Sequence, residues 1–222
     1  MYLNRCILFL FKSVMEIQKF EVGPFLENTY LLTKGSEHLL VDPGFSREPE
    51  FQEFKNSLTG ELKAIVLTHA HVDHVLGLKR TLRDFDVPVY YCKEDRFLWE
   101  NFGSQSQMFG INQGGLDFIP ENLPTDEVFE IGSFTFKCLY TPGHSPDHLS
   151  LYFEDDGVLL AGDALFKESI GRTDLYKGSL EVLEKSIREK LYTLPAETVV
   201  YPGHGPETNI AHEKKNNPFV QA

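Results

Sequence analysis

The stretch THAHVDH, residues 68–74, contains four potential metal-ligand side chains within six residues. It directly follows the apolar run 64–67, which has the composition of a buried β-strand, so its polar residues emerge at the end of that strand. In an extended chain alternate side chains share a side, and His69 and His71 can therefore bind one cation. A turn after Val72 can present the aspartate and the histidine that follow to a second cation. Such clustering of histidine is costly without a metal, so the stretch predicts a metal centre.

Three later segments carry a ligand-type residue directly after a glycine, at the end of a β-rich run. They end in Gly143-His144, Gly162-Asp163 and Gly203-His204. Glycine lets the backbone turn sharply or approach an ion closely, which suits a ligand at a strand end. Together with the first stretch they supply seven nitrogen or oxygen donors from four places in the chain, enough for two ions that share a carboxylate. The predicted donors are His69, His71, Asp73, His74, His144, Asp163 and His204.

Strand and helix patterns surround these motifs in two strand-rich halves. The predicted strands are 17–22, 29–33, 38–41, 64–68, 87–91, 128–131, 134–140, 149–153, 158–161 and 198–201. The predicted helices are 48–58, 76–84, 93–101 and 177–192. This order suggests two sheets packed face to face and covered by helices. Residues 102–124 are too apolar for a linker and too broken for a regular element, and they fit either a loop with its own small core or a lid or wall over the site.

Composition fits one globular domain, which we assign to residues 15–222 of the 222-residue chain. Residues 1–14 are interpreted as an extension of uncertain origin, because a clear strand pattern opens only at Met15. The apolar run 6–11 is far shorter than the roughly 20 residues of a membrane span, so no transmembrane helix is predicted there. Lysine and arginine total 21 against 33 acidic residues, and this net charge of −12 disfavours nucleic acid as a partner. Three widely spaced cysteines without a Cys-x-x-Cys pair favour a reducing, cytoplasmic setting.

The motifs resemble those of the metallo-β-lactamase superfamily. The resemblance rests on the His-x-His-x-Asp-His signature, the three glycine-ligand pairs and the turn Val41-Asp42-Pro43-Gly44, and it spans nearly all of residues 15–204. It implies an α+β fold, a four-layer αββα sandwich of two mixed β-sheets packed face to face with helices outside. The implied ligands of one ion are His69, His71 and His144, and those of the other are Asp73, His74 and His204. Asp163 is implied to bridge the two ions.

Two further residues are candidates for supporting the ligands. Asp42 is either a simple turn former or, as the resemblance implies, a carboxylate that supports a ligand histidine, and we favour the second interpretation. His148, four residues after His144, is either a group that supports the site or a polar residue entering a strand. His38 and His212 lie in polar stretches and are predicted to be surface residues.

Within the superfamily, the chain resembles the glyoxalase II group, and its end resembles the small one-domain, hydroxyacylglutathione hydrolase-like members. The stretches that carry this likeness are 24–30, 162–166, 171–174 and 203–208. True metallo-β-lactamases commonly have cysteine as the bridging residue and lack the last histidine of the first motif, whereas Asp163 and His74 are both present here. Typical glyoxalase II enzymes continue into a helical region that helps bind glutathione. This sequence ends at Ala222, so glutathione recognition does not carry over.

The resemblance implies a binuclear metal-dependent hydrolase in which a metal-bridging hydroxide attacks a small-molecule thioester. Histidine and carboxylate donors suit two divalent ions, with zinc favoured over iron or manganese. Asp73 is expected to orient the water as well as to bind metal. A thiolate, from a thiol of pKa roughly 8.5, departs without help from a general acid, and the motifs supply no such acid. The alternatives are a mononuclear-iron persulfide dioxygenase, which usually has cysteine at the position of His148, and a lactonase. The acidic charge disfavours a ribonuclease Z-like nuclease.

Overall fold

A computed structural model describes residues 14–92 and 94–221. The strands of the described chain are β1 (Glu16–Val22), β2 (Glu27–Lys34), β3 (Glu37–Val41), β4 (Glu61–Val66), β5 (Val89–Cys92), β6 (Glu121–Leu123), β7 (Val128–Ile131), β8 (Phe134–Tyr140), β9 (Leu149–Phe153), β10 (Val158–Gly162), β11 (Leu165–Phe166), β12 (Ser169–Ile170), β13 (Val199–Pro202) and β14 (Thr208–Asn209). The helices are α1 (Glu48–Ser57), α2 (Val72–Val75), α3 (Leu78–Asp84), α4 (Phe97–Glu100), α5 (Phe102–Met108), α6 (Leu180–Ser186) and α7 (Ile210–Asn216).

The strands form two mixed sheets and one small hairpin. The first sheet has the order β1-β2-β3-β4-β5-β6, and the second has the order β14-β13-β10-β9-β8-β7. In the first sheet β1, β2 and β3 pair antiparallel and β3 to β6 pair parallel. In the second sheet β10 and β13 are parallel and the other neighbours are antiparallel. The hairpin of β11 and β12 follows β10 directly.

The two sheets pack face to face, and their alternating side chains explain the layers. In β4, Ala64 and Val66 point into the core between the sheets, whereas Ile65 packs under the helices on the other side. In β10, Leu160 faces the same central core and Leu159 packs under the outer helices. Strands buried on both faces appear in sequence as continuous apolar runs. The α+β fold and the four-layer αββα sandwich are therefore confirmed.

Helices cover each outer face through short apolar stripes. On the first sheet, Phe51 and Phe54 of α1 are buried against strand residues. On the second sheet, Leu183 of α6 is buried beside Ile187 and Leu191, which belong to a π-helical turn that continues the helix. The predicted helix 177–192 thus begins three residues late, at Leu180, with Ser179 as its N-cap. The Ser179 hydroxyl accepts a hydrogen bond from the Val182 N–H at the start of the helix.

Several expectations from sequence are wrong in detail. Residues 102–124 contain helix α5 and the edge strand β6 and are not one irregular segment. The predicted helix 93–101 is reduced, within the described residues, to Phe97–Glu100. His38 is buried and not a surface residue, because its Nε2 accepts the Thr59 N–H and its Nδ1 contacts the Thr33 hydroxyl. Its place at the start of a parallel strand gave no sign of this burial.

Two predictions concern the extent of the folded domain. The extension assigned to residues 1–14 lies, apart from Val14, outside the described residues. The single domain assigned to residues 15–222 stays a prediction. Among residues 14–92 and 94–221, no helix combines the length and the apolar character that crossing a bilayer requires.

Candidate metal centre

The seven predicted donors meet at one end of the sandwich, where four strands finish. Strands β8, β10 and β13 run in the same direction, and their carboxyl ends lead into His144, Asp163 and His204. In the other sheet β4 leads into the stretch 67–74, in which the residues after His71 form the short helix α2. A hydrogen bond from the Leu149 N–H to the Thr68 carbonyl oxygen, 2.8 Å long, ties the two sheets together at this point.

One group of three buried histidines surrounds a single point. Nε2 of His69 lies 3.0 Å from Nδ1 of His71, which lies 2.7 Å from Nε2 of His144. The Nε2 atoms of His69 and His144 are 3.2 Å apart and complete the triangle. Each ring therefore turns one nitrogen toward the same small space, as ligands of one cation do.

The hydrogen bonds behind these rings show which nitrogens carry a free lone pair. The Thr68 hydroxyl donates to Oδ2 of Asp42 at 2.6 Å, so it accepts from Nδ1–H of His69 at 3.0 Å and leaves Nε2 of His69 unprotonated. Nδ1–H of His144 donates to the Arg172 carbonyl oxygen at 2.8 Å, which leaves its Nε2 unprotonated as well. Two lone pairs 3.2 Å apart repel each other, and a cation between them removes that repulsion. The residues present fit a metal ion.

The remaining donors form a second group beside the first. Nε2 of His204 lies 3.3 Å from Oδ2 of Asp73, and the ligand atoms of Asp73, His74 and His204 all lie within 4.8 Å of one another. Nδ1 of His74 is bonded to Oδ2 of Asp42 at 3.0 Å, so its Nε2 is the atom that faces the group. Nε2 of His74 and Oδ1 of Asp163 are buried, lie 3.4 Å apart and have no hydrogen-bond partner among the described residues.

The Asp163 carboxylate lies between the two groups. Its Oδ1 faces His74, and its Oδ2 is 3.5 Å from Nε2 of both His144 and His204. Gly203 keeps this space open, because a Cβ at that position would overlap Oδ1 of Asp163. The residue before the last histidine must therefore be glycine for the carboxylate and the imidazoles to approach one another.

Burial and charge set the protonation of the cluster. Burial lowers the pKa of His71 to about 3 and that of His69 well below its ordinary value, so both rings are neutral donors at pH 7. Burial opposes the charged form of His204, but hydrogen bonds with Asp163 and Asp73 outweigh it and raise the pKa to about 10. The carboxylates of Asp163, Asp73 and Asp42 likewise hold the pKa of His74 above its ordinary value despite burial. This half of the cluster favours a positive charge, which a proton or a metal ion can supply.

Asp42 and His148 lie directly behind the cluster. Asp42, in a left-handed conformation with φ of 49°, accepts hydrogen bonds from the Thr68 N–H and hydroxyl and faces Nδ1 of His74. This is the arrangement of a carboxylate that orients a ligand histidine. Nε2 of His148 accepts the backbone N–H of Asp163 at 2.9 Å, so His148 supports the shared carboxylate and not a neighbouring ring.

Two buried carboxyl groups near the cluster were missed in the sequence. Asp147 is fully buried and accepts hydrogen bonds from the Ala70 N–H at 2.8 Å and the Tyr91 hydroxyl at 2.6 Å, which fixes the backbone between the first two histidines. Glu27 is also fully buried, and its group with Asp42 and His74 has ligand atoms within 4.8 Å of one another. Burial raises the pKa of Glu27 well above its ordinary value. In the sequence, each of them is only an acidic residue near a strand end and beside a site motif. Acidic residues are common at such places, so neither residue stood out.

The cluster forms the floor of a cleft of about 550 Å³. Gln105, Met108 and Phe109 from the segment 102–124 line this cleft, so the segment forms a wall of the site, one of its two predicted roles. Phe25 and the loop that carries Arg172 also line the cleft. A concave, mostly apolar cleft over a group of polar side chains is typical of a small-molecule site.

Two mixed sheets between helices, with histidines and carboxylates converging at one end, define an α+β sandwich with a candidate metal-binding site. The model of the family described as metallo-beta-lactamase superfamily matches residues 22–204. The chain belongs to the metallo-β-lactamase superfamily.

Similar proteins carry names of the same kind. Probable metallo-hydrolase YqgX of Bacillus subtilis is 38% identical over 213 residues, which cover 93% of this chain and 98% of that protein. Hydroxyacylglutathione hydrolase GloC of Haemophilus influenzae is 34% identical over 213 residues, which cover 94% of this chain and 99% of that protein.

Two solved structures have closely similar folds. The crystal structure of BLEG-1 B3 metallo-beta-lactamase superposes with a TM-score of 0.83 at 35% identity, covering 93% of this chain and 100% of that chain. The crystal structure of TTHA1623 in a di-iron-bound form superposes with a TM-score of 0.82 at 34% identity, covering 91% of this chain and 100% of that chain. The latter is a relative with two metal ions.

Proposed function

We propose that this chain is a binuclear metal-dependent hydrolase that cleaves thioesters. The observation that carries the proposal is the Asp163 carboxylate, which turns Oδ1 toward His74 and Oδ2 toward His144 and His204 at 3.4 to 3.5 Å. A carboxylate between two groups of imidazoles can offer one oxygen to each of two cations. The similarity to a protein named hydroxyacylglutathione hydrolase supports a thioester as the substrate class.

The ligand assignment follows the two groups. The proposed ligands are His69, His71 and His144 for one ion, Asp73, His74 and His204 for the other, and Asp163 for both. When bound, the two ions would lower the pKa of a water molecule and polarise the carbonyl group of the substrate. Asp42 and His148 keep His74 and Asp163 in place through the hydrogen bonds already described.

Asp73 is proposed to have a second role, in orienting the attacking water. Its side chain borders the cleft, and its Oδ2 is 3.3 Å from Nε2 of His204. An acceptor at this place can take a hydrogen bond from the water and aim its lone pair at the carbonyl carbon.

The residues that line the cleft favour a substrate with a good leaving group. Outside the ligand set, the described residues that line the cleft include no carboxylic acid and no imidazole that could protonate a leaving amine. A thiol of pKa roughly 8.5 leaves as a thiolate without such help. A thioester therefore suits this site better than an amide.

Metal identity and location are further parts of the proposal. Histidine and carboxylate donors suit zinc, which we favour, while iron or manganese would also bind them; the relative TTHA1623 is known in a di-iron form. Cys92 and Cys138 are free and buried, which fits a reducing cytoplasm. The partner is a small-molecule thioester, and no nucleic acid or membrane has a role in the reaction.

The test combines metal analysis with a substrate panel. Purified protein is assayed for zinc, iron and manganese per chain and for hydrolysis of lactoylglutathione, other thioesters, a lactone and a β-lactam. Two metal ions per chain and preferred cleavage of thioesters support the proposal. One ferrous ion per chain, with consumption of molecular oxygen when a persulfide is supplied as substrate, would establish the dioxygenase instead. Preferred cleavage of the lactone or the β-lactam would also overturn the thioesterase assignment.

A further inference from the structure

The walls of the cleft are aromatic and apolar above the donor cluster. Phe25 lies edge-on to Phe109 with ring centroids 5.1 Å apart, and Phe97 stacks on Tyr176 at 3.9 Å with a 17° interplanar angle. All four rings line the cleft. Each pair joins segments that are distant in the sequence, so the fold itself brings the rings together. Aromatic pairs of this geometry stabilise the fold by more than the burial of their surface alone contributes. The walls are therefore already in place before a ligand binds.

Large apolar side chains remain exposed at the mouth of the cleft. Phe97 is 43% exposed, Phe109 is 47% exposed and Met108 is 82% exposed. Contiguous exposed apolar side chains beside a concave site are typical of a surface that an apolar ligand covers. Burying them against an apolar ligand removes their surface from water and stabilises the complex.

Charge on the cleft walls is nearly absent. Apart from the donor cluster, Arg172 is the only charged side chain among the described residues that line the cleft. Its guanidinium already holds Asp174 through two bonds, from Nε to Oδ1 at 2.7 Å and from the terminal nitrogen to Oδ2 at 2.8 Å. Lys177, next to Tyr176, is bonded to Asp95 at 2.8 Å. Each cation is therefore already paired with an acid, and a substrate carboxylate would approach a neutralised pair on a chain of net charge −12.

We propose, on the basis of the proposed thioesterase function, that the preferred substrate is a thioester carrying an apolar group of aromatic size and no net negative charge. That group packs between the Phe25–Phe109 pair and the Phe97–Tyr176 pair, while the thioester carbonyl lies over the donor cluster. Glutathione, with two carboxylates, is a poor match for these walls. The volume of about 550 Å³ accommodates such a thioester.

The experiment varies the two sides of the thioester separately in the metal-loaded protein. With the acyl group fixed as acetyl, the thiol is 2-phenylethanethiol or glutathione, and each rate is divided by that of the alkaline hydrolysis of the same thioester, because the glutathione thiol is the more acidic leaving group. With the thiol fixed as N-acetylcysteamine, the acyl group is acetyl, phenylacetyl or succinyl. We expect kcat/KM to be at least about tenfold higher for the phenyl compound than for its charged counterpart in one of the two series, which identifies the side that the walls bind. A phenyl preference below about tenfold in both series, which includes any preference for both the glutathione and the succinyl thioester, would overturn the inference.

Variants of the walls provide the second arm. Phe109→Ala and Phe97→Ala are expected to reduce the preference for the phenyl thioester about tenfold, and Phe219→Ala, a substitution of an exposed ring outside the cleft, is the matched control. Arg172→Ala is expected to leave the phenyl preference intact. Calorimetric binding of a non-hydrolysable phenylethyl thioether reports the same contact without turnover. An unchanged preference in both wall variants contradicts the inference. If none of the thioesters is hydrolysed, including acetyl-N-acetylcysteamine, the proposed function itself fails, whereas hydrolysis that favours charged thioesters overturns the substrate class alone.

Discussion

The backbone N–H of Asp163 donates a hydrogen bond to Nε2 of His148, with 2.9 Å between the two nitrogens. Because Nε2 accepts, Nδ1 carries the proton and donates to the Thr141 hydroxyl at 2.9 Å. Burial lowers the pKa of His148 well below its ordinary value, so the ring stays neutral. One imidazole outside the proposed ligand set thus fixes the backbone of the carboxylate that lies between the two groups of proposed ligands.

His148→Ala removes this acceptor and leaves a buried N–H without a partner. We expect the free energy of unfolding to fall by about 1–3 kcal/mol and metal affinity to fall about 10–100-fold, because the Asp163 carboxylate is no longer held in place. Urea unfolding and competition with a chromogenic chelator measure the two effects. His212→Ala, at a partly exposed histidine paired with Glu168, is the control and should change neither quantity by much. Unaltered metal affinity in His148→Ala would show that the ring has no supporting role.

Asp163→Ala tests the shared carboxylate directly. Without the two oxygens that face His74, His144 and His204, we expect the protein to lose metal and turnover together. Metal content per chain and thioester hydrolysis are measured on the same preparation. Asp174→Ala removes an exposed carboxylate outside the ligand set and should retain both metal ions. Retention of two ions and of activity in Asp163→Ala would contradict the bridging role.

The donor set was predictable because its signal is local. Each donor follows an apolar run that ends at one edge of a sheet, and polar clustering at such a place is visible in the sequence alone. Asp147 was not predictable, since the partners that give it a role, Ala70 and Tyr91, are 77 and 56 residues away in the chain. Helix α5, with the sequence FGSQSQM, is short and contains a glycine and two serines, which disfavour a helix, and it is the burial of Phe102 in the core that stabilises it. Local pattern therefore predicted the residues that converge in the cluster, whereas the supporting contacts and the cleft wall depend on tertiary packing.

Asp147 and Tyr91 offer a test of one such contact. The Tyr91 hydroxyl lies 2.6 Å from Oδ2 of Asp147, the same oxygen that accepts the Ala70 N–H. We expect Asp147→Ala to lower stability by about 1–3 kcal/mol and Tyr91→Phe to cost about 1 kcal/mol. In the double variant the effects should couple by about 0.5–3 kcal/mol, measured by urea unfolding of all four proteins. Simple additivity would indicate that the hydroxyl and the carboxylate do not act together.

Gly162 lies where the site leaves no room for a side chain. Its φ is +50°, and a Cβ there would lie 2.7 Å from Nε2 of His148 and 2.8 Å from the Thr68 hydroxyl oxygen. Gly157→Ala is a matched control, because Gly157 has φ of +65° and open space around it. The control should lose only the cost of left-handed backbone, about 1–2 kcal/mol. Gly162→Ala should lose about 1–3 kcal/mol more through overpacking and should also bind metal less tightly. Equal losses in thermal unfolding would show that the space beside His148 is not restricted.

Glu50 links the cleft wall to helix α1 and gives a prediction that depends on pH. Its Oε1 accepts the Gly23 N–H at 3.1 Å, which anchors the turn before Phe25, and its Oε2 accepts the N–H groups of Ser46 and Arg47. Burial alone would raise the pKa of Glu50, but hydrogen bonds from Arg47 and Gly23 outweigh it and lower the pKa. A carboxyl group with a lowered pKa in the folded state contributes stability above its unfolded pKa, near 4.5, and loses that contribution as the pH falls through the folded value. The free energy of unfolding of Glu50→Gln should therefore be about 1–3 kcal/mol lower than that of the unmodified protein at pH 7. This difference should shrink steadily below about pH 4.5. Urea unfolding of chelator-treated protein across this pH range separates the effect from metal loss.

Glu53→Gln, at an exposed position of the same helix, is the control. A stability difference for Glu50→Gln that stays constant down to acid pH would show that the charge of the carboxylate is not what stabilises the turn.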